Sequence, residues 1–142
     1  MSEKQKLLIV DDSEFNRDIL KEILGSSYDY LEAENGNQAI QILEVHPEID
    51  LMLLDINMPQ MNGFQVLEHM GELQWIDEVP VVMISSEESV EIMRKAYDLG
   101  ITDYISRPFD AVIVKKRVQN TLGLYANQKR LINVVVDQLY EK

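Results

Sequence analysis

Short apolar runs that alternate with segments of helical periodicity constrain the fold of this chain most strongly. Residues 7–10 and 51–54 are continuous apolar runs of strand length, and such runs predict strands buried on both faces. The runs at 28–34, 79–84 and 102–105 complete a set of five predicted strands. A segment with helical spacing follows each run, and this order favours a parallel sheet with helices on both faces.

The helical segments carry recognisable start and stop signals. Ser13 precedes the first segment as an N-cap candidate, and Gly25 ends it. Gly36 opens the second helix, and Pro47 stops it because proline disfavours helical backbone just before itself. A further helix is predicted from about residue 87 to residue 99.

Polar side chains stand directly after four of the predicted strands. In strand order they are Asp11 and Asp12, Asp55, Ser85 and Arg107. The carboxyl ends of parallel strands share one sheet edge, where ligands bind near a topological switch point, so we expect these side chains to converge. Three carboxylates in one crevice repel unless a cation neutralises them, and an all-oxygen set suits Mg²⁺. A hydroxyl and a guanidinium suit phosphoryl oxygens, and one carboxylate could attack phosphorus.

Composition limits the class of protein. A chain of 142 residues that is 46% hydrophobic fits one globular domain. Cysteine is absent, which excludes disulfides and suits a cytoplasmic protein. The start "MSEKQK" leads into an apolar run that is too short for a signal peptide or a membrane span. Residues 1–110 carry 7 basic and 23 acidic side chains, so this body is not expected to bind nucleic acid directly.

Four sequence blocks resemble those of bacterial response-regulator receiver domains, and they cover roughly residues 6–123. The blocks are "IVDDSEFN", "LLLDINMPQMNGFQVL", "VVMISSEE" and "GITDYISRPF", in the family's order and spacing. The resemblance implies a flavodoxin-like, doubly wound (βα)₅ fold with five parallel strands in the order 2-1-3-4-5. It also implies a histidine kinase or phosphotransfer protein as partner, and a chain that catalyses only its own phosphorylation and dephosphorylation.

The resemblance assigns roles to individual residues. It implies that Asp55 is the phosphoacceptor and that Asp12 and Asp55 bind Mg²⁺ directly. Asp11 would bind the metal mostly through water, and the main-chain carbonyl of Asn57 would complete the protein ligands. Ser85 would hydrogen-bond the phosphoryl group and shift inward on activation.

Two positions depart from the family's pattern. Arg107 stands where the family usually has lysine. Its longer, planar, bidentate guanidinium could preserve the salt link in altered geometry, or it could leave a site that is poorly phosphorylated. Ser86 stands where glycine or alanine is usual, and its hydroxyl could narrow access to the phosphoryl group or donate to it. Tyr104 matches the family's aromatic switch, but a tyrosine there could also simply fill the sheet edge.

The sequence is also compatible with two rival functions. One is a phosphorylation-independent pseudo-receiver, a dimerisation and interaction module that lost its chemistry at Arg107. The other is a metal-dependent phosphatase acting on an external substrate. Asn57 counts against it, because haloacid-dehalogenase-type phosphatases carry a second aspartate two residues after the nucleophile.

The C-terminal segment forms one long helical pattern from Asp110 onward, broken only by Gly123. Eight of its positions step by three and four residues, as in a coiled-coil seam that is weak at Thr121 and Gln128. These positions are Val114, Val118, Thr121, Tyr125, Gln128, Ile132, Val135 and Leu139. We therefore predict a receiver domain at residues 1–123 and a helical extension at 124–142.

The extension has two interpretations. It either folds against its own domain, or it pairs with a second copy and leads to an output domain. A homodimer is expected through this helix, through the surface of the fourth helix, fifth strand and fifth helix, or through both. The sequence from "SRPFD" to "VVVDQLYEK" also resembles receivers fused to cyclic-di-GMP output domains, of HD-type phosphodiesterase or diguanylate cyclase type.

Overall fold

The computed structural model describes residues 4–86 and 89–140, together with the side chains of all of these except 127–133 and 140. Within these residues, five strands form one parallel sheet in the order β2-β1-β3-β4-β5. The strands are β1 (Gln5–Val10), β2 (Tyr28–Ala33), β3 (Leu51–Asp55), β4 (Val81–Ser85) and β5 (Asp103–Ser106). The predicted flavodoxin-like fold class and strand order are confirmed.

In the part of the chain that the structure describes, five α-helices cover the sheet on both faces. They are α1 (Glu14–Leu24), α2 (Gly36–Val45), α3 (Gly63–Glu72), α4 (Val90–Asp98) and α5 (Ala111–Tyr140), and a 3₁₀ turn at Trp75–Asp77 precedes β4. Helices α1 and α5 bury Leu20 and Val118 in the core on one face, while α2, α3 and α4 bury Leu43, Leu67 and Ala96 on the other. Among the described residues, no helix combines the length and apolarity that a membrane crossing requires.

Each strand differs from the sequence prediction in at least one bound, and two bounds differ by two residues for physical reasons. Strand β1 begins two residues before the apolar run, because Gln5 and Lys6 pair in register with β2. Strand β4 begins at Val81 instead of residue 79, because Pro80 has no N–H to donate to a ladder. Residues 87–88, where α4 was expected to begin, lie outside the described residues, and α4 is described from Val90.

Helix α5 has two different halves. Its first turns bury Val114, Val118 and Leu122 against α1 and the sheet. Its last turns expose an apolar surface, with Val135 at 55% and Leu139 at 72% of full exposure. At 1.5 Å per residue, the 30-residue helix is about 45 Å long.

Candidate functional site

Three aspartates meet at the carboxyl edge of the sheet. Asp11 and Asp12 directly follow β1, and Asp55 ends β3, which pairs with β1. One carboxylate oxygen of each residue lies within 4.8 Å of those of the other two. Asp11 and Asp55 are buried and Asp12 is exposed, so the site is closed toward the sheet and open toward solvent. This arrangement is the convergence expected from the parallel topology.

Asp11 is fixed by the strand on one side and α1 on the other. Its backbone N–H donates to the carbonyl of Ala33 at 3.1 Å, and its Oδ1 accepts from the N–H of Ser13 at 2.9 Å. The Ser13 hydroxyl in turn caps α1 by accepting from the N–H of Asn16, as the sequence predicted. Arg17 in α1 donates to the carbonyl of Asp11 at 2.6 Å.

The loop after β3 turns tightly around Asp55. The N–H of Asn57 donates to Oδ1 of Asp55 at 3.3 Å, which directs that oxygen toward the loop. Helix α3 begins with an Asn62 capping box completed by Gln65. The N–H of Gly63 donates to the carbonyl of Ile56 at 2.9 Å, which closes the loop directly behind Asp55.

The predicted hydroxyl and aromatic residues lie on the neighbouring strands. Ser85 is buried and ends β4, one residue after the register partner of Asp55, whereas Ser86 is exposed. Tyr104 is 3% exposed in β5. Its carbonyl accepts a hydrogen bond from the Arg117 guanidinium, which connects α5 to this strand.

Arg107 reaches two of the three aspartates. One of its terminal nitrogens donates to Oδ2 of Asp11, and the other lies 3.4 Å from Oδ1 of Asp55. Its backbone N–H donates to the carbonyl of Ser85 at 3.0 Å, so the start of the loop after β5 is tied to β4. The guanidinium carbon also lies 5.9 Å from the centre of the Phe109 ring.

Burial controls the protonation of the two enclosed aspartates. Burial raises the pKa of Asp55 to about 6, and the Asp11 carboxylate adds to this while Arg107 opposes it. Burial also raises the pKa of Asp11, and the Ser13 N–H and Arg107 oppose that shift. The site therefore favours added positive charge, since a cation would stabilise both ionised carboxylates.

Two residues of the first turn of α1 act on this site and were not predicted from the sequence. The Asn16 side chain lowers the pKa of Asp11, and the Arg17 guanidinium donates to the Asp11 carbonyl. Their position just after the aspartate pair is a signal that could have identified them, because the first helical turn after such a strand faces the same crevice.

The fold and the site together define a class of protein. Paired strands β1 and β3 lie where the strand order reverses, and an acidic cluster at that point of a doubly wound sheet is a ligand site. The family model for the response regulator receiver domain matches residues 7–119. The chain therefore belongs to the response-regulator receiver family, as its sequence blocks indicated.

Known relatives agree with this membership. A chemotaxis protein CheY homolog of Campylobacter jejuni is 32% identical over 120 residues, which cover 83% of this chain and 92% of the relative. The structure of the Vibrio cholerae chemotaxis protein CheY4 has a TM-score of 0.77 at 26% identity and covers 84% of this chain and 99% of its own.

A larger protein also matches. A probable cyclic di-GMP phosphodiesterase of Vibrio cholerae is 32% identical over 127 residues, which cover 89% of this chain but only 29% of that protein. The chain is thus a receiver domain of the CheY-like response regulators, and such a domain also occurs within larger proteins.

Proposed function

We propose that Asp55 is the phosphoacceptor of this receiver domain and that a histidine kinase or phosphotransfer protein is its phosphodonor. The observation that carries this proposal is the convergence of Asp55 with Asp11 and Asp12, one oxygen of each within 4.8 Å of the others. Asp55 ends the central strand of the sheet, which pairs with the strand that precedes Asp11 and Asp12.

The donor set fits Mg²⁺. The three carboxylates supply only oxygen, which is the ligand type that this hard cation prefers. Asp12 and Asp55 would bind the ion directly, Asp11 mostly through water, and the main-chain carbonyl of Asn57 would add a further oxygen. When bound, the ion neutralises the charge that develops on the transferred phosphoryl group.

The transfer is a nucleophilic displacement at phosphorus. A carboxylate oxygen of Asp55 attacks the phosphorus of a phosphohistidine, a P–O bond forms, and the P–N bond breaks. The electron pair of the broken bond stays on the imidazole nitrogen, which takes up a proton from solvent. Hydrolysis of the resulting acyl phosphate by water returns Asp55 to its carboxylate form and releases inorganic phosphate.

Residues at the ends of the strands beside Asp55 would contact the phosphoryl group. We assign Ser85 as a hydrogen-bond donor to it, Arg107 as its cationic contact and Ser86 as a hydroxyl at the entrance. Tyr104 would change its side-chain position with this contact, and the bond from Arg117 to its carbonyl connects that change to α5. Added negative charge opposite a cation is the usual way in which phosphorylation biases a two-state element.

The different exposure of the two halves of α5 supports a division of the chain. We assign residues 1–123 to the receiver and 124–142 to a helical extension, which would pair with a second copy and lead to an output domain. The coverage of only 29% of the Vibrio cholerae relative supports a multidomain arrangement. Any cyclic-di-GMP activity would lie in such an output domain, and the chain would act in the cytoplasm.

The decisive experiment is intact-protein mass after incubation with an acyl phosphate or phosphoramidate donor, with and without Mg²⁺. The parent should gain one phosphoryl group that depends on Mg²⁺, and Asp55→Asn should gain none. Asp50→Asn is a matched control, since Asp50 lies at the opposite sheet edge, where its side chain accepts from the N–H of Lys6. Lack of any gain in the parent, including with a histidine kinase, would favour the pseudo-receiver.

A further inference from the structure

The guanidinium of Arg107 lies between the two buried aspartates of the site. It donates to Oδ2 of Asp11, and its other terminal nitrogen is 3.4 Å from Oδ1 of Asp55. The Arg107 side chain is 22% exposed, while those of Asp11 and Asp55 are 1% and 2% exposed. One cationic side chain thus spans the two carboxylates that are assigned to the metal.

These contacts engage both oxygens of Asp11. Oδ1 accepts from the N–H of Ser13 at 2.9 Å, and Oδ2 accepts from Arg107. A cation that approaches Oδ2 meets the positive charge of the guanidinium at the same oxygen, and such repulsion is strong where water is scarce. Asp11 therefore cannot keep its full contact with Arg107 and also turn that oxygen toward a metal ion.

One nitrogen of the Arg107 guanidinium lacks a hydrogen bond, which weakens the hold of the crevice on this side chain. The Nε atom of Arg107 is buried and has no hydrogen-bond partner among the described residues, and a buried unpaired donor costs free energy. The backbone of Arg107 is held separately by the carbonyl of Ser85. The guanidinium can therefore leave the crevice without displacing the loop that carries Arg107.

We propose that Arg107 competes with the divalent cation for Asp11 and Asp55 and so sets the metal affinity of the site. Arg107 is then an internal counterion that neutralises the acidic crevice until Mg²⁺ displaces it. This inference rests on the proposed function, because it takes the same carboxylates as metal ligands. A lysine would compete less, since its compact ammonium cannot bridge two carboxylates as a planar fork does.

The test is isothermal titration of Mg²⁺ into the parent, Arg107→Gln, Arg107→Lys and Arg94→Gln. Arg94 is exposed on α4, so Arg94→Gln removes the same charge away from the crevice. We expect Mg²⁺ to bind Arg107→Gln about tenfold more tightly than the parent and Arg107→Lys with intermediate affinity. Arg94→Gln should bind like the parent.

A second readout reports directly on Arg107. In ¹⁵N-labelled protein, Mg²⁺ should shift the side-chain Nε–H resonance that is absent from Arg107→Lys, because the guanidinium changes its surroundings. Equal Mg²⁺ affinity in the parent and both Arg107 variants, or no binding to any of them, would overturn the competition. Tighter Mg²⁺ binding by Arg107→Gln, together with a parent protein that never gains a phosphoryl group, would support the competition and contradict the proposed phosphoacceptor.

Discussion

Gly63 at the start of α3 lies against the backbone of Asp55. A Cβ at position 63 would be 2.6 Å from the carbonyl oxygen of Asp55 and 2.9 Å from the Cα of Ile56. Both neighbours are backbone atoms of the central strand and its loop, so neither can give way cheaply. The close approach of α3 to the end of β3 therefore requires glycine.

Gly63→Ala should lower the free energy of unfolding by about 2 kcal/mol, since overpacking of a fitted contact typically costs this much. Urea unfolding followed by circular dichroism measures the change. Gly71→Ala is the matched control in the same helix, because a Cβ there meets no atom within 4 Å. The control should be stabilised by up to about 1 kcal/mol, as alanine favours the helix. A Gly63→Ala variant as stable as the parent would contradict the close contact.

Asp55→Asn should stabilise the metal-free protein at neutral pH. The folded-state pKa of Asp55 is raised to about 6, mainly by burial, above an ordinary value of about 3.9. The folded state therefore binds more protons between about pH 4 and pH 6, so stability falls as the pH rises through this window. The penalty is fully present above pH 6 and absent below pH 4, and on the order of 3 kcal/mol is at stake.

Thermal unfolding of parent and variant in a chelator, from pH 4 to pH 8, measures this effect. The Asp55→Asn advantage should be largest above pH 6 and should vanish near pH 4. Asp98→Asn removes the same charge from an exposed position at the end of α4 and should change little at any pH. An advantage of Asp55→Asn that is independent of pH would show that the carboxylate's charge is not its cause.

The convergence of the acidic site was predictable, but the contact of Arg107 was not. Asp11 and Asp55 follow strands of a parallel sheet, and topology alone brings such strand ends together. The direction of the Arg107 side chain instead depends on the conformation of the loop after β5 and on which carboxylate is nearest. The sequence therefore indicated the opposed charges but left open whether Arg107 reaches Asp11, Asp55 or both.

Gly123 lowers the stability of helix α5 at its position. It follows Leu122, the last apolar residue that is buried among the described side chains of α5, and a Cβ at 123 would meet no atom within 4 Å. Packing therefore does not require glycine here, and glycine costs about 1 kcal/mol relative to alanine inside a helix. Gly123→Ala should raise the free energy of unfolding by about this amount and increase the helical signal.

A second glycine provides the opposite case. A Cβ at Gly25 also meets no atom within 4 Å, but Gly25 has a φ of +83°. Gly25→Ala should lower the free energy of unfolding by about 1 kcal/mol, because L residues are strained at positive φ. Chemical unfolding of both variants tests the contrast. Changes of the same sign would show that backbone conformation does not decide these two positions.

The heptad spacing of α5 could not by itself assign the two halves of this helix. Val114, Val118 and Thr121 fit the seam but are buried within the domain, because a helix packed on a sheet repeats its apolar residues at the same three- and four-residue steps. Tyr125 also turns inward, with its hydroxyl 3.4 Å from that of Thr102. Among the seam residues whose side chains the structure describes, only Val135 and Leu139 are left for a second copy.

Leu139→Asp should therefore weaken the proposed dimer. Leu139 and Val135 lie on the seam at 72% and 55% exposure, and a buried unpaired carboxylate at the centre of a coiled coil is costly. Sedimentation velocity over a range of concentrations should show a dimer for the parent and a monomer for this variant. Val134→Asp is the control, since Val134 is similarly exposed at 48% but lies off the seam. A parent that remains monomeric at every concentration would contradict dimerisation through the extension, and dissociation by both substitutions would place the contact elsewhere on the helix.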